Sequence, residues 1–228
     1  MNPKIHLLCA AATLAVAGVS AADVVAGWTF NTAIPSSTTG NEYVYGAADQ
    51  GANATGSSMR GFHLTAATVW STVAGNGSQY SFSSNNWQQG DYYEARLSTL
   101  GYTDVSISFD QTRSSTGPSA FILFMSVDGG SNWTTLLSYT VLQNGLAPNA
   151  NWSTGGTRQA AYTIAAAAAA ADNKADVIFR LTCDAAPSST GGTNRIDNVF
   201  IEGTVIPAPG ALALLGLAGL AGRRRRTA

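Results

Sequence analysis

Nucleophilic and acid–base chemistry needs a positioned histidine, a pair of carboxylates or an activated thiol. The 228 residues hold two histidines and two cysteines. His6 lies in an apolar N-terminal run, so a Ser-His-Asp triad would have to use His63. Its surroundings, Arg60-Gly61-Phe62-His63-Leu64, contain no nucleophile elbow, which favours a strand histidine beside a loop. Asp91 and Glu94 are the pair to weigh for a glycoside hydrolase, but their roles would depend on a separation that spacing does not give. Cys183 alternates onto the face of Val177, Phe179 and Leu181, the pattern of a buried, inert thiol. These residues predict no catalytic group.

Binding chemistry has more candidates. Trp70, Trp87 and Trp152 stand among polar, loop-forming residues and could stack on sugar rings, whereas Trp28 falls on an apolar face. No cofactor motif is present, although Asp197-Asn198 could join other oxygens around Ca²⁺. The sharpest internal motif is Ser126-Val127-Asp128-Gly129-Gly130-Ser131-Asn132-Trp133. It resembles the Asp box of sialidase-like propellers, with Asn132 in place of Thr. Propellers repeat the unit blade by blade, and this chain has one copy, so the motif predicts a hairpin turn with Trp133 packed across the strands.

The elements that must carry these residues read as strands. Val24-Ala26-Trp28-Phe30 make one face of a first strand, and Val105-Ile107-Phe109 alternate with Ser106, Ser108 and Asp110. Phe121 to Val127 is almost all apolar and predicts a strand covered on both faces. Further strands are expected at 62–64, 79–83, 92–97, 136–142, 177–183 and 198–201. Ala165 to Ala171 is too short to hold a helix alone and predicts a helical turn or surface loop. Eight or nine short strands predict an all-β fold, a jelly-roll-like antiparallel β-sandwich over residues 23–204.

Charged residues make up only 11% of the chain, an exported rather than cytosolic composition. Seven basic residues face thirteen acids between Ala22 and Ile206, a net −6 that argues against nucleic-acid binding. At the N-terminus, Lys4, an apolar run and Val19-Ser20-Ala21-Ala22 form the pattern of a signal peptide over residues 1–22, cut after Ala21 or Ala22. Cys9 would leave with it, so the mature chain could form no internal disulfide.

At the other end, over residues 205–228, Pro207-Ala208-Pro209 precede an uncharged stretch from Gly210 to Gly222 and then Arg223, Arg224, Arg225 and Arg226. As a helix those apolar residues reach about 20 Å, a short C-terminal helix and a marginal span that the arginines would anchor on the cytoplasmic side. This order resembles the PEP-CTERM sorting signal, with Ala208 in place of Glu. The resemblance implies a precursor tethered for a time to the inner membrane by the C-terminal helix, recognition by an exosortase-like protease-transferase, and delivery to the cell surface or extracellular matrix. Gly101–Phe109, Ser126–Gly130 and Arg195–Val199 are likewise similar to β-sandwich domains found ahead of such tails. The expected function is a non-enzymatic surface protein in contact with extracellular polysaccharide. The alternatives are a carbohydrate-binding module with a defined sugar site and a secreted glycoside hydrolase.

Overall fold

The computed structural model describes residues 22–185 and 189–207. Twelve strands occupy them: β1 (Asp23–Trp28), β2 (Glu42–Gly46), β3 (Ser58–Phe62), β4 (Trp70–Val73), β5 (Ser81–Ser84), β6 (Tyr92–Leu97), β7 (Tyr102–Arg113), β8 (Ala120–Ser126), β9 (Thr134–Thr140), β10 (Thr163–Ala167), β11 (Val177–Cys183) and β12 (Asn194–Val205). They form two antiparallel sheets packed face to face, the expected jelly-roll-like sandwich. The first sheet runs β10-β7-β12-β5-β4, with β1 also on β12, and the second runs β2-β3-β6-β11-β8-β9.

β12 serves two partners on one edge. Asn194 to Ile196 pair with β5, and Val199 to Gly203 pair with β1. The register with β7 breaks between Asp197 and Phe200, where Asn198 takes a positive φ of 49°. Asparagine tolerates that left-handed conformation better than most residues, and the resulting bulge bends the strand toward its second partner.

Alternation in each sheet sends one set of side chains inward. Trp28, Trp70, Phe82, Tyr93, Phe109, Phe121, Leu123 and Phe179 meet there, fully buried. Each such side chain contributes about 1.5–3 kcal/mol on leaving water. Cys183 is buried among them, as its alternation predicts, and burial pushes its thiol up to about 12. Trp28 is internal as expected.

Three expectations are corrected. The alanine run is the expected helical turn only in its second part, a 3₁₀ turn at Ala169–Ala171; its first part belongs to β10, which extends the sheet beyond β7 with Ile164 and Ala166 half-buried. β8 is not covered on both faces: Phe121, Leu123 and Met125 are buried, whereas Ile122 and Phe124 are only partly so. His63 lies just past the end of β3 rather than within a strand. No described helix is long and apolar enough to cross a membrane. Ala21, Ala208, Pro209 and Arg223 to Arg226 lie outside the described residues; Ala22 and Pro207 flank the sandwich and are exposed.

Candidate functional site

The outer face of the second sheet presents two neighbouring rows of side chains. Cα register aligns Phe124, Arg180, Glu94 and Arg60 in one row and Ile122, Thr182, Tyr92 and Phe62 in the next. Opposed residues of an antiparallel ladder share a face, so these side chains meet across four strands. Phe62 stacks on Tyr92 at 5.4 Å between centroids. The Arg180 guanidinium sits 3.9 Å from the Tyr92 centroid and 4.1 Å from that of Trp133. Phe62, Tyr92, Arg180 and Trp133 thus form one stacked column across the sheet.

Glu94 holds the cation in that column. It is 4% exposed and accepts hydrogen bonds from Arg180 Nη2 at 2.6 Å, Arg180 Nε at 2.9 Å and Arg60 Nε at 2.7 Å. Arg60 reaches on to Glu42 through Nη1 at 2.8 Å. Arg180 Nη1 has no hydrogen-bond partner among the described residues.

The Asp-box-like turn delivers Trp133. Ser126 donates to Asp128 at 2.8 Å, and Asp128 accepts the Asn132 backbone N–H at 2.9 Å and its side-chain amide at 2.7 Å. These donors, led by the Asn132 N–H, hold the Asp128 carboxyl down at about 2. Gly129 and Gly130 take the positive φ values, 73° and 91°, that close the turn. The hairpin expectation is met, and Trp133 packs on Arg180.

Tyr92, Phe124, Trp133, Arg180, Thr182 and Gly90 enclose an open pocket of about 240 Å³. Thr182 Oγ1 is buried there with no partner among the described residues. Apolar rings beside a few convergent polar groups are the ordinary composition of a small-ligand site.

The expected sugar-stacking tryptophans are elsewhere. Trp70 is 0%, Trp87 2% and Trp152 4% exposed, so none presents a ring to a ligand. Trp70 points into the core, stacks on Phe82 at 5.4 Å and donates to the Gly40 carbonyl; Trp87 donates to the Ser84 carbonyl. Their polar sequence neighbours are loops that fold over them. Trp133 was missed because its motif reads as a turn, although the turn is what aims the ring outward.

The structure does assemble the residues of a triad, but seals them. Ser84 Oγ lies 3.3 Å from His63 Nε2, and His63 Nδ1 lies 3.4 Å from Asp91 and 3.0 Å from Thr68 Oγ1. His63, Ser84 and Asp91 are all at most 1% exposed, with Trp70 and Trp87 packed on the imidazole. Burial drives His63 down to about 3 and Asp91 up to about 6. His63 is therefore a neutral hydrogen-bonding partner rather than one half of an ion pair, despite its distance to Asp91. Asp91 turns inward while Glu94 turns outward to the arginines, so the two do not form a carboxylate pair.

The Ca²⁺ expectation also meets occupied oxygens. Asp197 accepts from the Asn76 N–H at 2.6 Å, Ser78 at 2.5 Å and the Asn198 N–H at 2.8 Å. Asp110, its cross-strand neighbour, receives Arg158 Nε at 2.7 Å and Nη2 at 2.8 Å. The guanidinium stands where a metal cation would. Among the described residues no three His, Cys, Asp or Glu side chains converge as a metal set.

No protein-family model and no curated protein matches the chain. Among solved structures it is similar to the CBM22-1–GH10 modules of Clostridium thermocellum endo-1,4-β-D-xylanase 10B, complexed with xylohexaose. The identity is 16% and the TM-score 0.45, over 78% of this chain and 28% of that one. It is similar too to the CBM22-1 xylan-binding domain of a Paenibacillus barcinonensis xylanase, at 10% identity and TM-score 0.43 over 82% and 98% of the two chains. A third likeness is to the K3 cleaved adhesin domain of Lys-gingipain from Porphyromonas gingivalis, at 19% identity and TM-score 0.41 over 78% and 98%. At such identities a shared ligand does not follow.

Proposed function

We propose that this protein is a non-catalytic carbohydrate-binding protein whose sugar site is the open pocket on the outer face of the second sheet. The observation that carries the reading is the Phe62–Tyr92–Arg180–Trp133 column with hydrogen-bonding capacity left over at Arg180 Nη1 and Thr182. A pyranose ring has an apolar C–H face and a rim of hydroxyls, which aromatic surfaces and charged donors match respectively. The pocket volume suits one ring of a longer chain lying across an open face. The non-catalytic part is supported by the sealing of His63, Ser84 and Asp91 and by the salt-bridged state of Glu94. Affinity electrophoresis against a panel of neutral polysaccharides tests the reading. Retardation by at least one, with no reducing sugar released, is expected; retardation by none, or turnover, would overturn it.

The same proposal places the sandwich outside the cell. Its support is the signal-peptide pattern of residues 1–22 and the PEP-CTERM-like order of Pro207-Ala208-Pro209, apolar stretch and Arg223 to Arg226. An exosortase-like enzyme would process the tail, and the body would reach the surface or matrix as a polysaccharide contact. Intact-mass measurement of the protein from its native host reads both cuts; a single uncut species in the cytosol would refute export.

A further inference from the structure

A second pocket, of about 250 Å³, lies on the outer face of the first sheet, lined by Ser71, Val73, Ser83, Arg113, Ser114, Asn144, Thr193 and Arg195. Its arginines stand apart. The described residues contain six arginines, and four of them, Arg60, Arg96, Arg158 and Arg180, pair with carboxylates. Arg96, Arg158 and Arg180 each present the Nε and Nη2 edge to the acid. Arg113 and Arg195 pair with none among the described residues, and both line this pocket.

Arg195 gives Nη1 to the Ala74 carbonyl at 3.0 Å and stacks on Trp152 at 5.0 Å. That leaves free the edge with which its counterparts grip carboxylates. Arg113 gives Nε to Val141 and Nη1 to Ser114 and Ser115, all backbone carbonyls, and keeps Nη2 free. The Ser71 and Ser83 side chains stand beside Arg195 on the outer face, since Ser71, Ser83 and Arg195 are in register. The acid nearest in sequence, Asp197, already has both oxygens engaged by Asn76, Ser78 and Asn198. Burial pushes the Arg195 pKa below the usual arginine value, whereas carboxylate partners hold those of Arg96 and Arg158 above it. Asp197 acts on Arg195 through space but makes no ion pair with it, and a half-buried guanidinium that lacks a direct carboxylate partner would be stabilised by one.

We infer that this pocket is a second binding site, which takes the carboxylate of an acidic sugar residue on the free edge of Arg195, with Arg113 and the surrounding hydroxyls contributing further donors. A planar carboxylate fits that fork in bidentate fashion, and the hydroxyls of Ser71, Ser83, Ser114 and Thr193 match the rest of a uronate ring. The carboxylate part stands on the arginines alone; the sugar part rests on the carbohydrate reading above.

Calorimetric titration of the full-length protein with glucuronate, glucose, acetate and sulfate tests it. Saturable glucuronate binding is expected, uncompeted by glucose and at least tenfold tighter than acetate or sulfate. Arg195→Gln and Ser71→Asp should each weaken it at least tenfold. Ser71 is on a partly exposed edge strand, so Ser71→Asp reads the pocket without depending on a core change. Trp133→Ala should leave glucuronate binding unchanged. No saturable binding, equal binding of glucose, or indifference to Ser71→Asp would overturn the site. Sulfate or acetate as tight as glucuronate would overturn the sugar assignment. Loss in Trp133→Ala would move the ligand to the other pocket and overturn this one. Glucuronate binding that survives while every neutral polysaccharide fails would sink the first site and leave the second.

Discussion

Arg180 lies sandwiched against Trp133, its guanidinium 4.1 Å from the indole centroid, while two of its nitrogens are tied to Glu94 beneath. The ion pair and the stack fix one another. A cation on an aromatic face contributes about 0.5–2 kcal/mol, and its geometry here depends on a carboxylate on β6, whereas the tryptophan lies in the turn between β8 and β9.

Glu94 should therefore act on binding through position. Glu94→Gln retains an acceptor but loses the charge that gathers Arg60 and Arg180, and it should weaken polysaccharide binding several-fold. Glu94→Ala should also destabilise the fold by on the order of 2 kcal/mol, less than for a fully buried pair because both arginines reach solvent. Urea unfolding beside affinity electrophoresis separates the effects. Equal binding by Glu94→Gln and wild type would show that Arg180 needs no orientation.

Gly61 is where the second sheet admits the core tryptophan. A Cβ there would lie 2.2 Å from Trp70 Cζ3, with no flexible side-chain end to give way. Gly61→Ala should cost about 1–3 kcal/mol, as overpacking does, readable as a lower urea midpoint at unchanged slope. Wild-type stability would mean that Trp70 has room to move.

Asp197 predicts a pH signature. Burial first, with Asp110 beside it, raises its carboxyl to about 6, against the donors Ser78, Asn76 and Asn198 that pull it down; Arg158 and Arg195 are the facing cations. Between pH 3.8 and 6 the folded state holds the proton more tightly than the unfolded state. Stability from this group is fully present below about pH 3.8 and lost as pH rises through 6. Asp197→Asn removes that dependence, so its unfolding free energy should gain on wild type by about 2–3 kcal/mol from pH 3.8 to 7. A difference that stays flat would mean that Asp197 ionises normally.

Much of the sandwich was legible because its strands alternate cleanly and one face of each is apolar. β10 was not, since an alanine run has no period and only the open edge of β7 decides that it pairs. Ile122 and Phe124 carried the misread signal: apolar residues at alternate positions on the second face of β8 mean a cover or a binding face, and among the described residues no element covers that face. Trp70, Trp87 and Trp152 show the reverse, polar neighbours in sequence that fold over the ring instead of exposing it. Trp133 could have been found by noting that an Asp-box-like hairpin fixes the orientation of the aromatic residue that follows it.

Sugar stacking on Trp133 is read from the dissociation constant of the best-retarded neutral polysaccharide for wild type, Trp133→Phe, Trp133→Ala and Trp152→Phe. Loss of an aromatic stacking surface at a binding centre costs about 2 kcal/mol, near thirtyfold. A weakening of about that size is expected for Trp133→Ala, a smaller one for Trp133→Phe and none for Trp152→Phe. Unchanged binding by Trp133→Ala, with the fold intact by circular dichroism, would contradict sugar stacking there.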